Sequence, residues 1–164
     1  MENLWAAWRR DFILGPKEDG CVFCKRIKLR SDRENLILFR GKKNFVIMNR
    51  YPYNGGHLLI VPYAHKSDLS KLTTLEANEM FDLTRKSVAI IKKAMPADGF
   101  NIGMNLGAIA GAGIESHLHI HVVPRFKGDT SYTAILGNVK VQSISLLEIY
   151  DLLKPGFDRL KSKR

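Results

Sequence analysis

Three of the five histidines in this 164-residue chain, His117, His119 and His121, stand at strict alternation just ahead of Val122-Val123-Pro124-Arg125. A strand has a side-chain period of two, so the three rings are expected on one face, with Leu118, Ile120 and Val122 on the other. Imidazoles titrate near neutrality, and each can act as nucleophile, acid, base or metal ligand without an extreme shift. The triplet alone leaves three readings open: a catalytic row, a metal site built on His-x-His, and histidines satisfied by packing. Pro124 has no N–H to donate and is expected to stop the ladder.

Two other groups carry chemistry. Cys21 and Cys24 form a Cys-x-x-Cys pair and are the chain's two cysteines. With no secretion signal, that spacing reads as metal or redox before structural disulfide. Residues 107–113 form a glycine-rich loop just before the histidines. Backbone without Cβ can approach a phosphate closely. The loop matches neither a P-loop nor the dinucleotide fingerprint, and taken alone it reads as a turn.

The elements that must position these groups follow in order. Residues 4–20 contain Trp5 and Trp8, lack clean periodicity and are broken by Gly15-Pro16, which suggests an arm docked on the body. Residues 36–40 and 44–48 read as a hairpin, 51–56 as a loop and 57–62 as a third strand. Thr73-Thr74-Leu75-Glu76 is a capping box. Ala77, Met80, Phe81, Thr84, Val88, Ile91 and Met95 then recur at helical spacing until Pro96 and Gly99 end the run. Residues 100–106 read as a fourth strand, the histidine segment as a fifth, and 145–153 as a short C-terminal helix before a basic tail, 154–164.

The length fits one domain, 1–164, with residues 1–20 as its arm. An apolar share of 45% and a charged share of 26% are those of an ordinary soluble globular protein. The N-terminus shows no basic stretch followed by an apolar one, so a cytoplasmic protein without membrane association is expected. Twenty-six Lys and Arg against 16 Asp and Glu give +10. Such a field favours polyanions, whether a nucleotide polyphosphate or nucleic acid, although any single cluster reads equally well as solubility.

The run His-Leu-His-Ile-His-Val-Val followed by Pro-Arg resembles the motif of the histidine triad (HIT) superfamily of nucleotidyl hydrolases and transferases. Phe45 to Arg50, Gly56-His57-Leu58-Leu59-Ile60-Val61-Pro62 and His65 resemble that superfamily's second and third strands. Leu4 to Arg9 ahead of Cys21-Val22-Phe23-Cys24, together with Gly111-Ala112-Gly113-Ile114, resembles the branch related to diadenosine tetraphosphate phosphorylases.

The resemblance implies an α+β fold with a five-stranded, mainly antiparallel sheet covered by the long helix, and a homodimer. It implies that His119 is the nucleophile on the α-phosphorus, that His121 holds phosphoryl oxygens or helps the leaving oxygen depart, and that amides of the 111–116 loop stabilise developing charge. Asn49 would bind ribose hydroxyls, with Asn105, Gly111, Gly113 and Ser116 completing the substrate contacts. A structural Zn2+ would rest on Cys21, Cys24, His65 and His117, and Mg2+ could enter with the substrate. His57 lies outside that set and would face the nucleotide or pack. Ile114 stands where many members place a phosphate-binding hydroxyl, which favours the phosphorylase-like branch. Arg125 and Lys127 are candidates for easing the approach of a phosphate acceptor. The alternatives are a dinucleoside polyphosphate hydrolase, a nucleoside phosphoramidase, and, from another class, a zinc-stabilised nucleotide or RNA-binding module with an inert triad.

Overall fold

The computed structural model describes residues 20–129 and 144–161. The expected arm with its two tryptophans lies outside them. A short helix, α1 (Val22–Lys28), is followed by strands β1 (Ile37–Arg40), β2 (Asn44–Met48) and β3 (Leu58–Pro62). Helix α2 (Thr74–Ala94) leads to β4 (Gly99–Gly103) and β5 (Ile120–Arg125), and helix α3 (Leu146–Lys161) follows. The strands form one sheet in the order β1-β2-β3-β5-β4, with every pair antiparallel. This is the expected α+β architecture.

The β1–β2 hairpin owes its turn to a carboxylate from α2. Glu79 accepts backbone N–H bonds from Lys42 (2.8 Å), Lys43 (2.6 Å) and Asn44 (2.8 Å). Gly41 makes room for this clamp, since a Cβ there would meet the Asn44 carbonyl oxygen at 2.6 Å and Glu79 Oε1 at 2.9 Å. Helix α2 starts at the expected capping box, with Thr73 accepting from the Glu76 amide and Glu76 from the Thr73 amide. Its buried stripe differs in part from the sequence reading. Met80, Leu83, Thr84, Ser87 and Ile91 face the core, whereas Ala77 is exposed and Phe81 is 70% exposed. Small and polar side chains, Thr84 and Ser87, sit inward because α2 lies close against its neighbours. Thr84 Oγ1 donates to the Met80 carbonyl, which lets its hydroxyl be buried.

Boundaries also differ: the fourth strand, expected over 100–106, spans Gly99–Gly103, and two further ends move. Pro124 does not stop β5: it pairs with Phe100 across the β4–β5 ladder, and the strand runs on to Arg125. Its carbonyl accepts from Asn54 Nδ2, so the N–H it lacks would also point to that side, where pairing with β3 has already ended at Leu58. The C-terminal helix passes through Pro155 to Lys161 instead of giving way to a tail. Proline costs the helix one N–H, but Leu153 and Phe157, both 0% exposed, keep the core-facing spacing across it. Gly156 brings α3 onto α2, since a Cβ there would meet Ile90 Cγ2 at 2.5 Å.

Candidate active site and metal cluster

The regular strand β5 begins only at Ile120, so His117 and His119 lie on the segment leading into it. That segment is anchored by Leu118 N–H donating to the Lys66 carbonyl at 2.7 Å. The rings divide into two neighbouring centres, with Phe23 of α1 between them. Phe23 is buried and meets the His117 ring edge-on at 5.5 Å and the His119 ring at 5.3 Å.

The first centre joins Cys21, Cys24, His65 and His117, whose ligand atoms all lie within 4.8 Å of one another. Cys21 Sγ is 3.2 Å from His117 Nδ1, and Cys24 Sγ is 3.4 Å from His65 Nδ1 and 3.6 Å from His117 Nδ1. Tetrahedral zinc, with bonds of about 2.3 Å to sulfur and about 2.0 Å to nitrogen, would set sulfur and nitrogen roughly 3.5 Å apart. The donor set therefore fits a metal ion. His117 Nε2–H donates to the Pro62 carbonyl at 2.8 Å, which leaves Nδ1 with its lone pair toward the thiols. Burial and then the adjacent Cys21 push the Cys24 thiol up, an effect a dication would reverse.

The second centre contains His119, His121 and His57. His119 Nδ1–H donates to the His117 carbonyl at 2.9 Å, so Nε2 keeps a free lone pair. The His121 ring lies 4.7 Å from it. Tyr53 N–H donates to His57 Nδ1 at 3.1 Å, which places the His57 proton on Nε2, and that nitrogen donates to His121 Nδ1 at 2.9 Å. The His121 proton must then sit on Nε2, which is buried and has no partner among the described residues. A lone pair on one imidazole thus stands beside an N–H donor on the next. Burial lowers the basicity of both partners: His57, pressed also by His121 and His119, reaches about 3, and His121, pressed also by His119, about 4. Burial lowers His119 too, against the raising effect of its bond to the His117 carbonyl.

His121 opens onto a cavity of about 470 Å3 whose lining includes Tyr53, Asn54, Asn101, Gly103, Asn105 and Arg125. Asn105 reaches it, with Nδ2 donating to the Gly111 carbonyl at 3.0 Å. Asn49 instead holds its own loop: Oδ1 accepts from Tyr51 N–H at 3.0 Å and Nδ2 lies 3.3 Å from His57 Nδ1. Gly111, at φ +86°, ends a short 3-10 turn, and Gly113 and Ser116 are exposed on the same loop. The amides of Gly111 and Ala112 already bond carbonyls of that turn. Arg125 is held by Asp129 through Nε–Oδ2 at 2.6 Å and Nη2–Oδ1 at 3.0 Å, while Lys127 is exposed. Phe23 and Asn101 are not among the expected site residues, and His57, expected to face the nucleotide or pack, is buried against His121. The signal that could have found Asn101 is its place two residues before Gly103 in the 99–103 strand, on the face that continues to Asn105.

Residues 30–128 match the HIT domain family. The chain belongs to that family. An AP-4-A phosphorylase from Mycobacterium tuberculosis is 47% identical over 149 residues, covering 86% of this chain and 76% of the relative. An asymmetrical bis(5′-nucleosyl)-tetraphosphatase from Schizosaccharomyces pombe is 34% identical over 95 residues, covering 58% of this chain and 52% of the relative. Among solved structures, a zinc-bound histidine triad family protein from Mycobacterium smegmatis is 25% identical and has a TM-score of 0.70, covering 88% of this chain and 98% of that one.

Proposed function

We propose that this HIT-family protein is a nucleotidyl transferase that cleaves dinucleoside polyphosphates through a nucleotidyl-His119 intermediate, with inorganic phosphate as the acceptor. The observation that carries the reading is the free Nε2 lone pair of buried His119, fixed by the bond from Nδ1–H to the His117 carbonyl, next to the His121 N–H donor. Nε2 attacks the α-phosphorus, the P–O bond to the rest of the substrate breaks, and its electron pair leaves on the departing phosphate oxygen. His121 Nε2–H donates to the oxygens that gain charge. The imidazole, positively charged while bound to phosphorus, is then a good leaving group. An oxygen of phosphate attacks, the N–P bond breaks and neutral His119 returns. Asn105 lines the pocket, Gly113 and Ser116 serve the nucleotide from the exposed loop before the histidines, and Asn49 and Gly111 shape that site through the loops they brace.

The AP-4-A phosphorylase name of the 47% identical relative supports phosphate as the acceptor. A hydrolase is the second reading, because Asp129 locally offsets the Arg125 charge that would help a dianion approach. Zn2+ bound by Cys21, Cys24, His65 and His117 would tie α1, the segment after β3 and the histidine segment together. Mg2+ arrives with the substrate. The protein works in the cytoplasm and as a homodimer, the pairing alone being supported by β4 at the sheet edge and by exposed Phe81 and Ile102. No helix among the described residues is long and apolar enough to cross a membrane. The test is product analysis from diadenosine tetraphosphate with and without inorganic phosphate. ADP with ATP is expected when phosphate is present, whereas AMP with ATP at millimolar phosphate would make the protein a hydrolase.

A further inference from the structure

Apart from Arg125, weighed above as an aid to the acceptor's approach, the far end of the cavity, away from the histidines, is used by none of the roles above. Its floor is the β4–β5 pair. Gly103 stands directly opposite His121, and Asn101 opposite Val123 one step further. A Cβ on Gly103 would meet nothing within 4 Å, and its φ is not positive, so neither packing nor backbone requires glycine there. Its consequence is a bare passage leading away from His121. Beyond it Arg125 Nη1 donates to Asn101 Oδ1 at 2.9 Å, while Arg125 is itself clamped by Asp129. Asn54 closes the network from the loop before β3, with Nδ2 donating to Asp129 Oδ2 at 2.7 Å and to the Pro124 carbonyl at 3.0 Å. These bonds orient the Asn101 amide: its oxygen is taken by Arg125, so its NH2 is the end left to donate.

The passage therefore carries donors on two diagonal positions of a strand pair, His121 and Asn101, which in an antiparallel ladder lie roughly 7–8 Å apart. Donors spaced in this way along an open groove suit a chain of phosphates better than a single one. In-line displacement places the departing oxygen opposite His119, and the acceptor later enters from that same side. We propose that this groove is the subsite for the phosphate chain of the leaving group, and that Asn101 and Gly103 set the leaving-group length the protein accepts. This rests on the nucleotidyl-transfer reading.

Two substrates separate the groove from the chemistry. Diadenosine tetraphosphate loses ATP, which must lie along the groove. Adenosine 5′-phosphoramidate loses ammonia, which does not extend to Asn101. Gly103→Val fills the passage and Asn101→Leu removes the donor at similar volume. Each is expected to lower kcat/KM for the first substrate about ten-fold more than for the second. Inorganic tripolyphosphate, titrated by calorimetry, is expected to bind the wild type and to bind both variants about five- to ten-fold more weakly. Equal losses on both substrates, no loss on either, or no tripolyphosphate binding by the wild type would overturn the subsite. Failure of the wild type to turn over either substrate would instead remove the nucleotidyl-transfer reading, and the tripolyphosphate titration would still decide the groove. Melting curves of both variants confirm that the fold is intact.

Discussion

At the scale of single residues, the site depends on where protons sit. The Tyr53 amide fixes His57, and His57 fixes His121, so the His121 N–H is set by main chain two links away. His57→Leu keeps most of the volume but frees His121 to take either tautomer. A kcat roughly 100-fold lower is expected, within the range for general acid–base groups, with metal content unchanged. Wild-type kcat in this variant would show that His121 needs no orienting partner. The same pair predicts a pH effect on stability. Both imidazoles fall below the ordinary value of about 6.5, so between that value and about 4 the unfolded chain binds more protons than the folded one. Their contribution is complete above about pH 6.5 and is lost as pH falls toward 4. Urea midpoints measured across that interval should drop more steeply for the wild type than for His57→Leu, and parallel curves would contradict the pair's role. This relay was not legible in the sequence. Spacing shows the alternation of His117, His119 and His121, but the meeting of His57 with His121 depends on the β3–β5 register, which sets Leu59 opposite His121 and leaves His57 on the adjacent diagonal.

At the scale of elements, two clamps organise the molecule around the site. Glu79 on α2 satisfies three amides of the β1–β2 turn, so Glu79→Ala leaves that turn without its acceptor. A loss of about 1–3 kcal/mol in urea unfolding is expected, and an unchanged midpoint would show that water replaces the carboxylate without cost. The second clamp is the Cys and His cluster that gathers α1 and the histidine segment. Cys24→Ser should lower bound zinc, measured by atomic absorption against about one equivalent per wild-type chain, and should lower the melting temperature. A wild-type protein prepared without chelator that carries no metal and has Cys21 and Cys24 disulfide-bonded would refute the zinc assignment. The capping box of α2 was readable because Thr73 and Glu76 act within one turn. The inward face of that helix was only partly readable. Phe81 reads as core by spacing, and Thr84 is buried as expected, yet the core side also takes Leu83 and Ser87 in place of Ala77 and Phe81, a choice made by neighbouring elements and not by hydrophobicity alone.

At the scale of the whole molecule, the sheet order brings the third and fifth strands side by side, which is how residues from three distant stretches converge on one pocket. The C-terminal helix closes the opposite part of the core. The sequence reading ends this helix at residue 153, and local propensity at Pro155-Gly156 argues against its going further, but burial of Phe157 outweighs that. Phe157→Ala should cost about 3–5 kcal/mol, and a negligible change would mean that residues past Leu153 behave as a tail. Sedimentation should give the mass of a dimer, and a monomer at micromolar concentration would contradict pairing through β4. All of these elements converge on His119. The most direct test is therefore turnover of diadenosine tetraphosphate by His119→Ala, with melting temperature and zinc content measured on the same preparation. The expected result is a loss of roughly 1,000-fold or more, with fold and metal retained. Near-native turnover in that variant would show that His119 is not the nucleophile and that cleavage proceeds without a nucleotidyl-His119 intermediate.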